Sequence, residues 1–325
     1  AAAHHHSCAL PVIRCRGVMK FHLFGAIAGS SFDHLMTASP YHPNVIDTRR
    51  IGDATVTVIS EGGLLWPPRF PVPEPDWREA LPEADVEGRV WLGLNVVVIR
   101  IGDALLVVDP GMDDPDSSWQ RDRSRIWPNW EVTRTPGLAA AMNELGFARE
   151  DVNHVIITHP HGDHYPGVTF KCDGDLVPRF PQARHYLGRA DWEGNPNRGT
   201  PGSDLDRLEL IDRIGLLELV ESERQIVPGL TILPAAGESP GHQIVRLESA
   251  GEVFYVLGDI VHHACEVEHL GWGPPHSDLE VLMAARAEIF PRVAREEALL
   301  VTAHEPFPPW GRIVSAGEGY RWQRY

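Results

Sequence analysis

The stretch Thr158-His159-Pro160-His161-Gly162-Asp163-His164 decides how this chain is read. It follows Val155-Ile156-Ile157, a short β-branched apolar run of the kind that forms a buried strand. Three imidazoles and a carboxylate at a strand-to-helix turn make a donor set suited to borderline divalent metals. On extended backbone His159 and His161 can face one way. Asp163 and His164, where the chain turns into a helix, can face a second ion a few ångströms off. A polar loop that happens to be His-rich is the competing reading. The strand before the stretch and the glycine within its turn weigh against it.

Working outward, three downstream segments offer further donors at the ends of apolar runs. Ser239-Pro240-Gly241-His242 offers an imidazole, Val256-Leu257-Gly258-Asp259 a carboxylate, and Val301-Thr302-Ala303-His304 a second imidazole. Taken singly, each has an ordinary explanation: a turn residue for His242, a turn cap for Asp259, a satisfied core histidine for His304. Taken together and in this order, the H-x-H-x-D-H motif and its three followers resemble the metallo-β-lactamase superfamily of hydrolases, from about residue 53 to 315.

The resemblance implies an α/β fold, the four-layer αββα sandwich. It implies that His159, His161 and His242 hold one metal, that Asp163, His164 and His304 hold the other, and that Asp259 bridges them. Two cations ~3.5–4 Å apart trap a hydroxide that serves as nucleophile. Asp163 is the implied proton shuttle. Zn2+ suits this donor set best, with Mn2+, Co2+ and Fe2+ also compatible. Val107-Val108-Asp109-Pro110-Gly111 is similar to the family's V-D-x-G turn, whose Asp orients ligating imidazoles. A turn-capping role for Asp109 is compatible with that.

Composition narrows the partners. The chain has 325 residues, enough for one large α/β domain or two modest ones, with an ordinary apolar content of 43%. Its net charge, 29 − 45 = −16, argues against a nucleic-acid partner. No run of 18 apolar residues is present to span a membrane. Cys8, Cys15, Cys172 and Cys265 form no C-x-x-C pair, so a disulfide framework is not expected and a cytoplasmic setting is the default. Cys265 reads as core.

Residues 1–50 read as a leader or arm ahead of a hydrolase domain over 51–325. His4-His5-His6 resembles a tag remnant, Met19 opens a weak signal-peptide pattern, and Met36 is an alternative start. An ordered arm would dock on something, and a homodimer is the expectation. Alternation predicts a strand over 54–60, and the Pro-rich stretch 66–82 reads as an arm too irregular for helix. Residues 94–100 and 104–109 form a predicted hairpin. The insertion 112–136, with Trp119, Trp127 and Trp130, reads as a lid or pocket edge. Helical spacing is predicted over 137–145, 204–219 and 279–290, and strands over 225–227, 230–233, 244–247, 253–257 and 298–301. Pattern alone supports α/β layers and no more.

The resemblance also ranks activities. A β-lactamase of this family lacks the bridging carboxylate, glyoxalase II needs a helical domain after its last His, and the diiron flavoproteins need a flavodoxin-like domain. Acyl-homoserine lactonases carry Tyr three residues past the bridging Asp, where this chain has His262. That His, and Ala303-His304-Glu305-Pro306-Phe307-Pro308, resemble the methyl parathion hydrolase branch, so His262 joins Asp163 and Asp259 as a catalytic candidate. Glu238 departs from the branch, which usually has His there. The expected substrates are small aryl esters or lactones, with organophosphate triesters as promiscuous ones. An acyl-homoserine lactonase is the alternative, and a non-catalytic metal-binding module the alternative of another class. Trp66, Phe70, Trp272, Phe307 and Trp310 are the expected aromatic pocket.

Overall fold

The computed structural model describes residues 45–115, 117, 132–200, 202–203 and 205–325. The His4-His5-His6 run, Cys8, Cys15, Met19, Met36 and the arm up to residue 44 lie outside the described residues, as do Trp119, Trp127 and Trp130 of the expected lid.

The first ten strands are β1 (Ile46–Ile51), β2 (Ala54–Trp66), β3 (Val90–Ile101), β4 (Ala104–Val108), β5 (Val132–Arg134), β6 (His154–Ile156), β7 (Thr169–Cys172), β8 (Asp175–Pro178), β9 (Arg184–Gly188) and β10 (Leu217–Val220). Eight of them form one sheet in the order β1-β2-β3-β4-β6-β9-β10, with β5 on β2, while β7 and β8 pair separately. A second sheet runs in sequence order through β11 (Arg224–Val227), β12 (Leu230–Pro234), β13 (Gln243–Ser249), β14 (Glu252–Val256), β15 (Leu299–Val301), β16 (Trp310–Ala316) and β17 (Gly319–Arg324).

The layers follow from which face each side chain takes. In β3, Val97 and Ile99 join one cluster, Val96 and Val98 another; in β4, Leu106 and Val108 separate likewise from Leu105 and Val107. A strand buried on both faces reads as a continuous apolar run, which is why these segments lack alternation. The shared cluster also takes Val245, Leu247, Phe254, Val256 and Val301 from the second sheet, so it is the core between the sheets. The outer face of the first sheet packs Leu138, Ala141 and Met142 of helix Gly137–Glu144 and Leu208 and Ile211 of helix Asp206–Arg213. The outer face of the second packs Leu282, Ile289, Phe290 and Val293 of helix Leu279–Arg295. Helix, sheet, sheet, helix is the four-layer sandwich.

The two sheets touch directly beside the motif. Gly93 N–H donates to the His304 carbonyl at 2.7 Å and Asn95 N–H to that of Ala303 at 3.0 Å. A Cβ at Gly93 would come within 2.5 Å of the Glu305 carbonyl oxygen, so only glycine permits this approach.

Several local expectations are corrected. The 66–82 stretch contains helix Glu74–Ala80, with proline in its first turn, where the missing N–H costs nothing, and Trp77 buried. The helix expected over 204–219 ends at Arg213; Gly215 takes a φ of 76°, and Leu217 and Leu219 belong to β10. Helix Leu279–Arg295 runs past its expected end through Pro291. The sheet begins at Ile46, ahead of residue 51, with β1 paired along β2. Cys265 is free and buried, as read.

One buried group in β9 sets an acid limit on the fold. Burial pushes the His185 imidazole down to about 4; its Nδ1–H donates to the Ala183 carbonyl, and its Nε2 is buried without a partner. As pH falls, the unfolded ring, with an ordinary value of 6.5, takes up its proton first, so stability drains between about 6.5 and about 4. The loss from this group reaches roughly 3 kcal/mol. His185→Leu should flatten that part of the acid limb. Urea midpoints measured from pH 7 to 4 should fall less steeply than in wild type, and parallel curves would refute the assignment.

Candidate metal centre

Two parallel strand pairs bring the motif and its followers to one edge. β4 and β6 run parallel and end at Asp109 and the His159–His164 stretch; β14 and β15 run parallel and end ahead of Asp259 and His304. The β12–β13 turn supplies Glu238 and His242 at the same edge. His159, His164, His242, Asp259, His262 and His304 are all buried.

The donors fall into overlapping groups. His159, His161, Glu238 and Asp259 each offer an atom within 4.8 Å of the others; Asp163, His164 and His304 form a second group, and Asp259, His262 and His304 a third. Asp259 Oδ2 stands 3.2 Å from His164 Nε2, 3.1 Å from His304 Nε2 and 3.6 Å from His159 Nε2. The structure therefore brings together six of the seven expected ligands, with Asp259 shared between the two sides. His242 stands apart from these groups: its ring is 5.1 Å from that of His159, and its Nε2 accepts the Asp259 N–H at 3.0 Å.

Hydrogen bonds on the far side of each ring decide which nitrogen faces inward. Asp109 accepts from Thr158 N–H and Thr158 Oγ1, each at 2.7 Å, and from His164 Nδ1–H at 3.0 Å. With its hydroxyl proton given to Asp109, Thr158 Oγ1 accepts from His159 Nδ1 at 3.1 Å. His304 Nδ1–H donates to the Gly93 carbonyl at 2.9 Å. In all three rings Nε2 is the nitrogen turned to the centre, where it could ligate a metal. Asp109 thus serves one imidazole on each side of the centre.

Electrostatics suit a cation. Burial would raise the Asp259 carboxyl, but the imidazoles of His164, His304, His262 and His159 outweigh it and hold the group well below the carboxylate range. Burial pushes His159 down and His242 to about 4, so both are neutral at pH 7. His164 Nε2 and Asp259 Oδ1 are buried without a hydrogen-bond partner. Two such orphans in one imidazole–carboxylate cluster fit a pair of divalent ions, since buried polar atoms are otherwise satisfied.

A cavity of about 330 Å³ opens onto the cluster. Trp66 lines it with Leu64 and Leu92, and its ring stacks on His262 at 6.1 Å between centroids. The other expected pocket aromatics are placed elsewhere. Phe70 packs edge-on behind Trp66 at 5.7 Å, and Trp272 stacks behind Phe70 at 5.1 Å. Phe307 and Trp310 turn into the core between the sheets, where Trp310 is fully buried and donates Nε1–H to Asp47. Proximity in sequence to His304 did not fix their direction. The cavity also takes Tyr165, Asn195, Asn197, Glu238 and His276, which the sequence reading did not select. Only Glu238 had a signal, its position four residues before His242.

Fold and donor set together define a metallo-hydrolase-type sandwich with its centre at one edge of two facing sheets. Residues 89–304, well over half of the chain, match the Metallo-beta-lactamase superfamily, and the chain belongs to that family. Among curated relatives, a protein of Mycobacterium bovis and one of Mycobacterium tuberculosis, each named a probable metallo-hydrolase, are 22% identical over 191 residues, 52% of this chain and 57% of theirs. The match thus spans little more than half of those relatives. Similar solved structures include AidC, a dizinc quorum-quenching lactonase (TM-score 0.71, 18% identity, 86% of this chain and 97% of that one). AbOPH, a hydrolase of the beta lactamase superfamily, has a TM-score of 0.72 at 21% identity, covering 88% and 99% of the two chains.

The role of Asp109 can be measured directly. Asp109→Ala removes the acceptor of Thr158 and His164, so affinity for divalent cations should fall about 10–100-fold. Chelator competition would check this. Wild-type affinity would show that the rings keep their orientation without it.

Proposed function

We propose that this chain is a dinuclear metal-dependent hydrolase of small aryl esters or lactones, with organophosphate triesters as slower substrates. The observation that carries the reading is Asp259, whose carboxylate stands between the His159/His161 and the Asp163/His164/His304 donors. Two divalent ions, Zn2+ by donor type with Mn2+, Co2+ and Fe2+ compatible, would supply a water of lowered pKa and Lewis-acid polarisation of the scissile carbonyl or phosphoryl group.

The chain's own residues do the rest. Asp163 carries a proton to the leaving oxygen in this reading, supported by its one-fifth exposure and its position on the cavity lining. Its Oδ2 is 3.6 Å from His304 Nε2, so it stays beside the centre while facing substrate. His262, three residues past Asp259 and 3.3 Å from its Oδ2, is buried against the cavity wall and positions that carboxylate or a substrate oxygen. Trp66, Leu64 and Leu92 offer a flat apolar wall that suits an aromatic leaving group. The chain's charge of −16 disfavours polyanionic substrates such as nucleotides.

The second reading is an acyl-homoserine lactonase. AidC was solved with the product N-hexanoyl-L-homoserine, and it shares this fold. A third, a metal-binding module without turnover, would bind metal but hydrolyse nothing. A side-by-side kcat/KM series on aryl esters, lactones, phosphotriesters and β-lactams separates these. Aryl esters or aromatic-fused lactones should rank first and β-lactams near background. A tenfold advantage for long-chain acyl-homoserine lactones, about 1.4 kcal/mol of transition-state preference, would favour the second reading. His262→Ala should lower turnover on every substrate while two metals per chain remain on elemental analysis. Unchanged rates would reduce His262 to packing.

A further inference from the structure

The β12–β13 turn carries a carboxylate outside the expected ligand set. The Glu238 side chain is fully buried, and its Oε1 lies 3.4 Å from His161 Nδ1 and 3.7 Å from His262 Nε2. It shares a donor group with His159, His161 and Asp259, all four atoms within 4.8 Å of one another. Both of its oxygens are held from the other side: His276 Nε2 donates to Oε1 at 2.6 Å, and Ser277 Oγ donates to Oε2.

A carboxylate buried this completely persists where it is paired or coordinates a metal. Among the described residues its ion-pair partners are the imidazoles of His161, His262 and His276, with no lysine or arginine. An imidazole that gives its lone pair to a cation is neutral, so a ligating His161 cannot also neutralise Glu238. Oε1 keeps a second lone pair beyond the His276 bond. Asp259 Oδ1, on a carboxylate of the same group, is buried with no partner at all. The site therefore has donors to spare on the His159/His161 side.

We infer that Glu238 is a further metal ligand at the His159/His161 position, held in place by His276 and Ser277. This rests on the dinuclear reading above. Oxygen donors favour harder cations, so Glu238 raises Mn2+ affinity at that position more than Zn2+ affinity. That selectivity is what separates a ligand from a merely structural carboxylate.

The test titrates Mn2+, and separately Zn2+, into chelator-treated full-length protein, by calorimetry and by the electron paramagnetic resonance of Mn2+. Wild type should take two Mn2+. Glu238→Gln, nearly isosteric, should weaken one Mn2+ position at least tenfold, leave the other unchanged, and weaken Zn2+ less. Two Mn2+ bound with wild-type affinity would overturn the proposal, as would equal losses for both metals. Should Glu238→Gln fail to fold by circular dichroism, the double variant His276→Ala/Ser277→Ala carries the test. It should weaken one Mn2+ position several-fold, and unchanged binding would again overturn the proposal. A wild-type protein holding fewer than two ions would instead overturn the dinuclear reading, a failure visible without any variant.

Discussion

The Asp109 carboxylate is the fixed point from which the centre is built. It is nearly buried, it sits in a left-handed conformation at φ 47°, and it accepts three hydrogen bonds. The backbone conformation costs of order 1–3 kcal/mol for a residue other than glycine. Three bonds to a charged acceptor, at about 1.5–3 kcal/mol each, outweigh it. Because one bond goes straight to His164 and another reaches His159 through Thr158, a single residue orients rings on both sides of Asp259.

The sandwich makes this arrangement possible by burying charge where strands end. The inner strands β4, β14 and β15 carry buried apolar side chains on both faces, so the donors they deliver collect past their ends. Parallel neighbours finish on the same edge, and each sheet contributes one such pair. The cluster would be costly as a set of isolated buried charges. Here the imidazoles of His164, His304 and His262 surround the Asp259 carboxylate, and the remaining orphan atoms point to cations as the missing partners.

The parts legible in the sequence are those whose direction follows from strand ends. His159, His161, Asp163, His164, Asp259 and His304 each come within a few residues of a short apolar run, and extended backbone dictates where such residues emerge. Asp109 was legible for the same reason. Glu238 stood out only by its position before His242; its approach depends on how the turn between Pro234 and Gln243 folds back, which no periodicity encodes. Phe307 and Trp310 were assigned to the pocket by nearness to His304, but β16 starts at Trp310 and turns its ring inward. Leu219 fits a helical period and a strand equally well; Gly215, which ends the helix, decided between them. Proline in the 66–82 stretch was read as a breaker, although a first helical turn accepts it.

The donors are divided between the two halves of the sandwich. His159, His161, Asp163 and His164 follow β6 of the first sheet, while Glu238, His242, Asp259 and His304 hang from the second. Across that seam the Asn95 side chain adds two hydrogen bonds, to the carbonyls of Ala303 and Glu305. Cations bound there would be rivets through the seam, and their binding energy would count toward the cohesion of the whole sandwich. Occupancy would then tune how often the halves part, so susceptibility to proteolysis would report on metal supply without any substrate being turned over.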